Sequence, residues 1–233
     1  MLEEKLKYVQ EKILSSAEKS SRELSEIKLI AVSKTHPISL IMQCYSAGVR
    51  DFGENKAIEL RDKSELLKND ITWHFIGHLQ TNKVKYIIKN SEYIHSVESL
   101  KLAEEINKRA KFYNKVQQVF VEMNTSNEAS KFGLRSYDEL YDLIAKFENL
   151  EHVKVIGLMT MAPFTDNEEV ARKSFSRLRE FRDRISNHFN SVTELSMGMT
   201  NDYAIAIEEG ATMLRIGTAI FDKRDQSLSW SDK

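Results

Sequence analysis

Eight short apolar segments, at 27–32, 49–52, 72–76, 93–97, 116–123, 153–159, 193–195 and 213–216, alternate along the chain with stretches of helical periodicity. The helical stretches span 2–24, 38–47, 56–67, 79–88, 99–113, 137–147, 168–189 and 201–208. Apolar strands separated by helices imply parallel pairing, because a parallel neighbour requires a crossover and the crossover helices cover both faces of the sheet. Eight such units in about 200 residues match an α/β chain closed into a (β/α)8 TIM-type barrel, with the helix at 2–24 as an N-terminal extra. An open doubly wound sheet is the alternative. Both architectures place their sites at the C-terminal ends of the strands, so the residues following each apolar run carry the functional reading. Two helix starts are marked by capping boxes, Ser136-x-x-Glu139 and Thr165-x-x-Glu168.

Charge and composition remove several classes of function. With 35 acidic and 34 basic side chains the formal charge is −1, so no global field favours nucleic acid or an anionic membrane surface. The longest apolar runs, such as Leu29-Ile30-Ala31-Val32, fall far short of the roughly 20 residues that span a bilayer. Met1-Leu2-Glu3-Glu4-Lys5 places acids where a signal peptide needs positive charge, and Cys44 is the only cysteine, so a cytoplasmic protein without an intrachain disulfide is expected. Eight glycines and two prolines, unclustered, mark no linker. A single domain over 1–233 is expected, with the barrel at about 27–221 and a loosely held tail at 223–233, and size and charge suit a monomer.

Lys34 closes the first strand. If it points into the barrel mouth, Val32 and Ile30 point inward as well; a desolvated lysine there has a lowered pKa and attacks a carbonyl to give a Schiff base. The alternative is a lysine snorkelling at the rim. In the last strand Leu214 and Ile216 share one face and Met213 and Arg215 the other, so Arg215 is expected inside, facing either a ligand or an interior carboxylate. The turns Ser196-Met197-Gly198-Met199-Thr200 and Gly217-Thr218 offer backbone N–H groups and hydroxyls to an anion, or act simply as capping turns. A phosphorylated aldehyde accounts for all four features.

The blocks Ala31-Val32-Ser33-Lys34-Thr35, Phe52-Gly53-Glu54-Asn55, Trp73-His74-Phe75-Ile76-Gly77-His78, Gly157-Leu158-Met159, Leu195-Ser196-Met197-Gly198-Met199 and Arg215-Ile216-Gly217-Thr218-Ala219-Ile220-Phe221 together resemble the pyridoxal phosphate homeostasis proteins, the YggS/PROSC family. The resemblance implies an alanine-racemase-like barrel holding pyridoxal 5′-phosphate (PLP) as a Schiff base on Lys34. It further implies phosphate contacts from Ser196, Gly198, Gly217 and Thr218, with Asn55 beside the ring and Arg215 facing the pyridine nitrogen. Met159 and His78 are secondary candidates for the pocket wall, and Lys131 for a phosphate contact at the mouth, against a solvated loop lysine. Such proteins buffer or deliver PLP within vitamin B6 balance, with apo-PLP enzymes as recipients, and without evident catalysis; a weak racemase or decarboxylase is the alternative.

An arginine does not protonate the pyridine nitrogen, so the ring is a poorer electron sink than one paired with a carboxylate. Racemases of this fold nevertheless work with an arginine there, and they add a tyrosine from a second, all-β domain as the opposite-face base. The chain runs about a dozen residues past its last barrel motif, so no such domain is expected. His74 and His78 share no helical face and are not expected to hold a metal. Cys44 is expected to be a small buried hydrophobe. The run Arg177, Arg179, Arg182 and Arg184 is expected on a solvated helix face.

Overall fold

A computed structural model describes residues 1–68, 70–126, 128 and 131–222. Its strands are β1 (Lys28–Val32), β2 (Asp51–Glu54), β3 (Thr72–Phe75), β4 (Ser91–Val97), β5 (Gln117–Glu122), β6 (Val153–Met159), β7 (Glu194–Ser196) and β8 (Met213–Ile216). Each pairs in parallel with the next, and β8 returns to β1 with Arg215 opposite Ile30, so the sheet closes as a barrel. This excludes the open doubly wound alternative. The helices are α1 (Leu2–Lys19), α2 (Ile38–Ser46), α3 (Ala57–Leu66), α4 (Val84–Ile87), α5 (Leu100–Phe112), α6 (Tyr137–Phe147), α7 (Glu168–Ser186), α8 (Tyr203–Glu208) and α9 (Thr218–Phe221). Among the described residues no helix is long and apolar enough to cross a membrane. The tail expected at 223–233 lies outside the described residues.

Strand alternation divides the apolar residues into two cores. Ala31, Phe52, Leu214 and Ile216 face outward into the layer between sheet and helices, while Ile30, Phe120, Ile156, Met159 and Met213 fill the interior. The interior is completed by polar groups, His74, His95, Ser196 and Arg215, all buried. α1 lays Leu6, Val9, Ile13 and Ala17 against α2, α8 and α9. Each of its larger apolar side chains contributes about 1.5–3 kcal/mol by leaving water.

Local chemistry moves several boundaries. α1 stops at Lys19 instead of continuing to 24, because the Ser20 hydroxyl donates back to the Ser16 carbonyl and Ser21 turns left-handed at φ 53°. The helix expected at 79–88 shrinks to a 3-10 turn (Thr81–Lys83) and the single turn of α4, since the chain stays irregular over 76–80, where Gly77 lies against Asn55 and accepts from the Ser96 hydroxyl at 2.6 Å. The Ser136–Glu139 capping box forms. The one at Thr165 does not: Asn167 caps α7 by accepting from the Glu169 N–H at 3.1 Å, and Thr165 Oγ1 accepts from the Asn167 N–H. Asparagine caps at least as well as threonine and stands directly before the helix.

The arginine run is not a simple solvated face. Arg179 pairs with Glu209 at 2.8 Å, Arg182 donates to the Thr193 carbonyl at 2.7 Å, and Arg184 covers the Tyr137 ring at 3.5 Å. These contacts tie α7 to the elements beside it.

Candidate functional site

At the C-terminal end of the barrel, Val32, Lys34, Thr35, Asn55, Gly217 and Thr218 border a cleft of about 160 Å³, together with His36, Lys56 and Asp222. Four of the seven residues expected around the cofactor therefore line one cleft. Lys34 is exposed there, and Val32 beneath it is buried. Asn55 is half-buried, yet its Oδ1 is shielded from solvent and has no hydrogen-bond partner, and the same holds for Thr35 Oγ1. Gly77 lets the chain press onto this residue, since a Cβ there would stand 2.3 Å from the Asn55 carbonyl oxygen.

The loops after β7 and β8 are clipped together. Thr200 Oγ1 accepts from Thr218 Oγ1 at 3.1 Å and from the Ala219 N–H at 3.3 Å. Arg215 N–H donates to the Gly198 carbonyl at 2.9 Å, and Gly198 turns at φ 94° with no room for a Cβ against Ala206. Among the described residues the backbone N–H groups of Gly198, Gly217 and Thr218 have no acceptor. Two of these donors, Gly217 and Thr218, share the cleft with the Lys34 amine and suit an anion.

Beneath the cleft Arg215 is inside, as alternation requires, with 5% of its surface exposed. Among the described residues Arg215 forms no ion pair, although the Asp202 and Glu122 carboxylates act on it through space. It donates instead to Ser196 Oγ at 2.5 Å and to the Thr160 carbonyl at 2.8 Å, and burial lowers its pKa to about 10, which leaves it charged at neutral pH. The Ser196 hydroxyl is wholly buried and turned toward this interior. Met159 belongs to the interior apolar cluster. His78 is exposed, stacked on Phe132 with ring centroids 4.0 Å apart. Lys131 pairs with Glu128 at 2.9 Å. Cys44 is buried in α2 with its thiol pushed up to about 12, as a small hydrophobe would be.

Sequence reasoning missed the group that holds Lys34 in place. Lys63 has no exposed surface; its Nζ lies 2.8 Å from Glu54 Oε1, 2.7 Å from Glu59 Oε1 and 2.9 Å from the Ser33 carbonyl oxygen. Glu54 also accepts from the Ser33 hydroxyl at 2.7 Å, and Glu59 from the Thr35 N–H at 2.5 Å. The cluster thus grips the residues on both sides of Lys34 and holds Thr35 at φ 66°, a conformation costly for a β-branched residue. The only sequence signal was Glu59-x-x-x-Lys63, a spacing that ordinarily marks an exposed helical pair.

Glu122, at the end of β5, is buried, and that burial with Glu98 nearby pushes its carboxyl up to about 7 from 4.5. The folded state then keeps a proton that the unfolded state releases, so this group's stabilising contribution is present at low pH and lost as pH rises from 4.5 to 7. Glu122→Gln removes that dependence. Its stability relative to the parent is expected to be greater at pH 8 than at pH 5 by about 1–3 kcal/mol, read by urea unfolding.

The family model of the alanine racemase N-terminal domain matches residues 11–225, so fold and site define a barrel of the alanine-racemase class. Over 223 residues the chain is 44% identical to the pyridoxal phosphate homeostasis protein of Aquifex aeolicus, covering 95% of this chain and 97% of that one. It is 36% identical to the protein of that name from Pasteurella multocida, covering 97% and 99%. The chain belongs to the pyridoxal phosphate homeostasis protein family. Among solved structures, PipY of Synechococcus elongatus with PLP bound superposes with a TM-score of 0.82 at 31% identity, over 95% of this chain and 100% of that one.

Proposed function

We propose that this protein binds PLP covalently through Lys34 and serves in intracellular PLP homeostasis, buffering the cofactor or passing it to apo-enzymes in the cytoplasm. One observation carries the reading: an exposed lysine amine shares a cleft with the unpaired N–H groups of Gly217 and Thr218, above a buried arginine. PLP supplies an aldehyde for an amine and a phosphate dianion for N–H donors. Lys34 offers the amine, Gly198, Gly217 and Thr218 the phosphate cradle, Asn55 a side chain beside the ring, and Arg215 a cation for the pyridine nitrogen. Ser196 acts from below, through Arg215. The relatives' shared name supports the homeostasis role, and the PLP-bound structure of PipY supports the ligand.

An arginine at this place weakens the ring as an electron sink without by itself separating a carrier from a racemase of this class. Arg215 keeps its proton at neutral pH, so the ring nitrogen gains no full positive charge and withdraws electrons weakly. Incubation with excess PLP followed by desalting is expected to leave a protein with visible absorbance; a colourless protein would contradict the reading. Across a panel of amino acids, Cα deuterium exchange is expected not to exceed that of free PLP, and clear excess would favour a racemase or decarboxylase.

A further inference from the structure

Two buried histidines play no part in the proposed binding of PLP. His74 on β3 and His95 on β4 have no exposed surface; His74 stacks on Tyr93 and His95 on Phe120. They complete an unbroken series across the barrel. From Arg215 Nη1 it passes to Ser196 Oγ at 2.5 Å, from there to His95 Nδ1 at 2.8 Å, from His95 Nε2 to His74 Nδ1 at 3.0 Å, and from His74 Nε2 to Asp51 Oδ1 at 2.9 Å. Lys28 Nζ stands 3.2 Å from the same Asp51 oxygen. Asp51 and Lys28 border a hollow of about 800 Å³ at the opposite, N-terminal end of the strands.

The direction of every hydrogen bond is set from the Asp51 end. Burial works against it, but His74 and Lys28 hold the Asp51 carboxyl below its ordinary range, so Asp51 accepts. Burial also lowers both histidine pKa values, so each ring carries one N–H. His74 must then donate from Nε2 and accept at Nδ1; His95 donates from Nε2 and accepts at Nδ1. The Ser196 proton is consequently committed to His95, and the Ser196 oxygen accepts from Arg215. A hydroxyl so engaged has no proton for an anion in the cleft. Its role is instead to fix the guanidinium, which is held at one nitrogen by Ser196 and at the other by the Thr160 carbonyl.

We propose that His95 and His74 are positioning residues that anchor Arg215 through Ser196, with Asp51 as the acceptor that ends the chain at the far end of the barrel. The inference rests on the reading that PLP binds above Arg215. The test is titration of PLP into the parent protein, Ser196→Ala, His95→Phe, their double variant and His95→Asn, with affinity and visible spectrum recorded and folding checked by circular dichroism. Each single variant is expected to bind about tenfold more weakly, the scale of one hydrogen bond to a charged group. Both should alter the visible band in the same way, and the double variant should bind no more than about threefold more weakly than either single, because the second change breaks a chain already broken. His95→Asn, whose amide oxygen stands near the lost Nδ1, is expected to stay within about threefold of the parent.

Additive effects in the double variant would overturn the proposal, since they would mean that Ser196 and His95 act separately. So would a folded His95→Phe with the parent's affinity and spectrum. Should His95→Phe not fold, Asp51→Ala carries the test from the far end: binding about threefold weaker supports the chain, and parental affinity with a parental spectrum overturns it. A parent protein that takes up no PLP would indict the cofactor reading instead. A parent that loads, with additive variants, indicts the chain alone.

Discussion

Replacing Lys63 by Met is expected to destabilise the fold by about 3–5 kcal/mol, the cost of leaving buried carboxylates without their cation. The ammonium is enclosed by Glu54, Glu59 and the Ser33 carbonyl, and nothing in the cluster opens to solvent: Lys63 and Glu54 have no exposed surface and Glu59 has 2%. Glu54 is already strained electrostatically, because burial pushes its carboxyl up even with Lys63 in place. Without the lysine both carboxyls must take up protons or unfold their surroundings. Urea unfolding at neutral pH measures the loss, and a variant within about 1 kcal/mol of the parent would show that the cluster does not brace the fold. Converting Glu54 and Glu59 to Gln in the same variant is expected to recover much of the stability, as replacing a whole buried ionic group is far cheaper than removing one member. Weaker PLP loading should accompany Lys63→Met, since the Ser33 carbonyl loses its donor and Glu59, which accepts from the Thr35 N–H, loses its cation.

Lys34→Ala is expected to do the reverse, abolishing covalent PLP attachment while leaving stability within about 0.5–1 kcal/mol of the parent. Lys34 is exposed at the cleft, and the grip on its loop comes from the atoms of Ser33 and Thr35, which the substitution leaves intact. The variant should therefore fold, lose the visible absorbance that reports the attached cofactor, and retain only weak reversible binding through the anion-binding turns and Arg215. Desalting after PLP incubation separates the outcomes. A variant that keeps the parent's absorbance after that step would place the bond on another lysine.

Much of this site is legible from local pattern, and the parts that are not share a physical reason. The inward direction of Ile30 and Arg215 and the outward direction of Leu214 come from the two-residue period of a strand, which needs no knowledge of neighbours. Lys34, Asn55, Gly217 and Thr218 stand at strand ends that the barrel brings together at its mouth. Lys63 was illegible because its partner spacing to Glu59 is that of a solvated helical pair; the β2 carboxylate of Glu54, approaching from another element, is the partner that buries it. The link between His74 and His95 depends on parallel register and shared inward facing across β3 and β4, and the link from His95 to Ser196 spans the barrel interior. Only closure of the sheet makes the second of these contacts. For the same reason Ser196, which sequence places among the phosphate groups, turns its hydroxyl beneath the cleft toward Arg215 and His95.

The central claim is that Lys34 is the residue to which PLP is attached. Borohydride reduction of the PLP-loaded protein, with peptide mapping of the product, tests it most directly. One stable pyridoxyl adduct is expected on the peptide carrying Lys34; an adduct on a different lysine, or a loaded protein that yields none, would contradict attachment at Lys34.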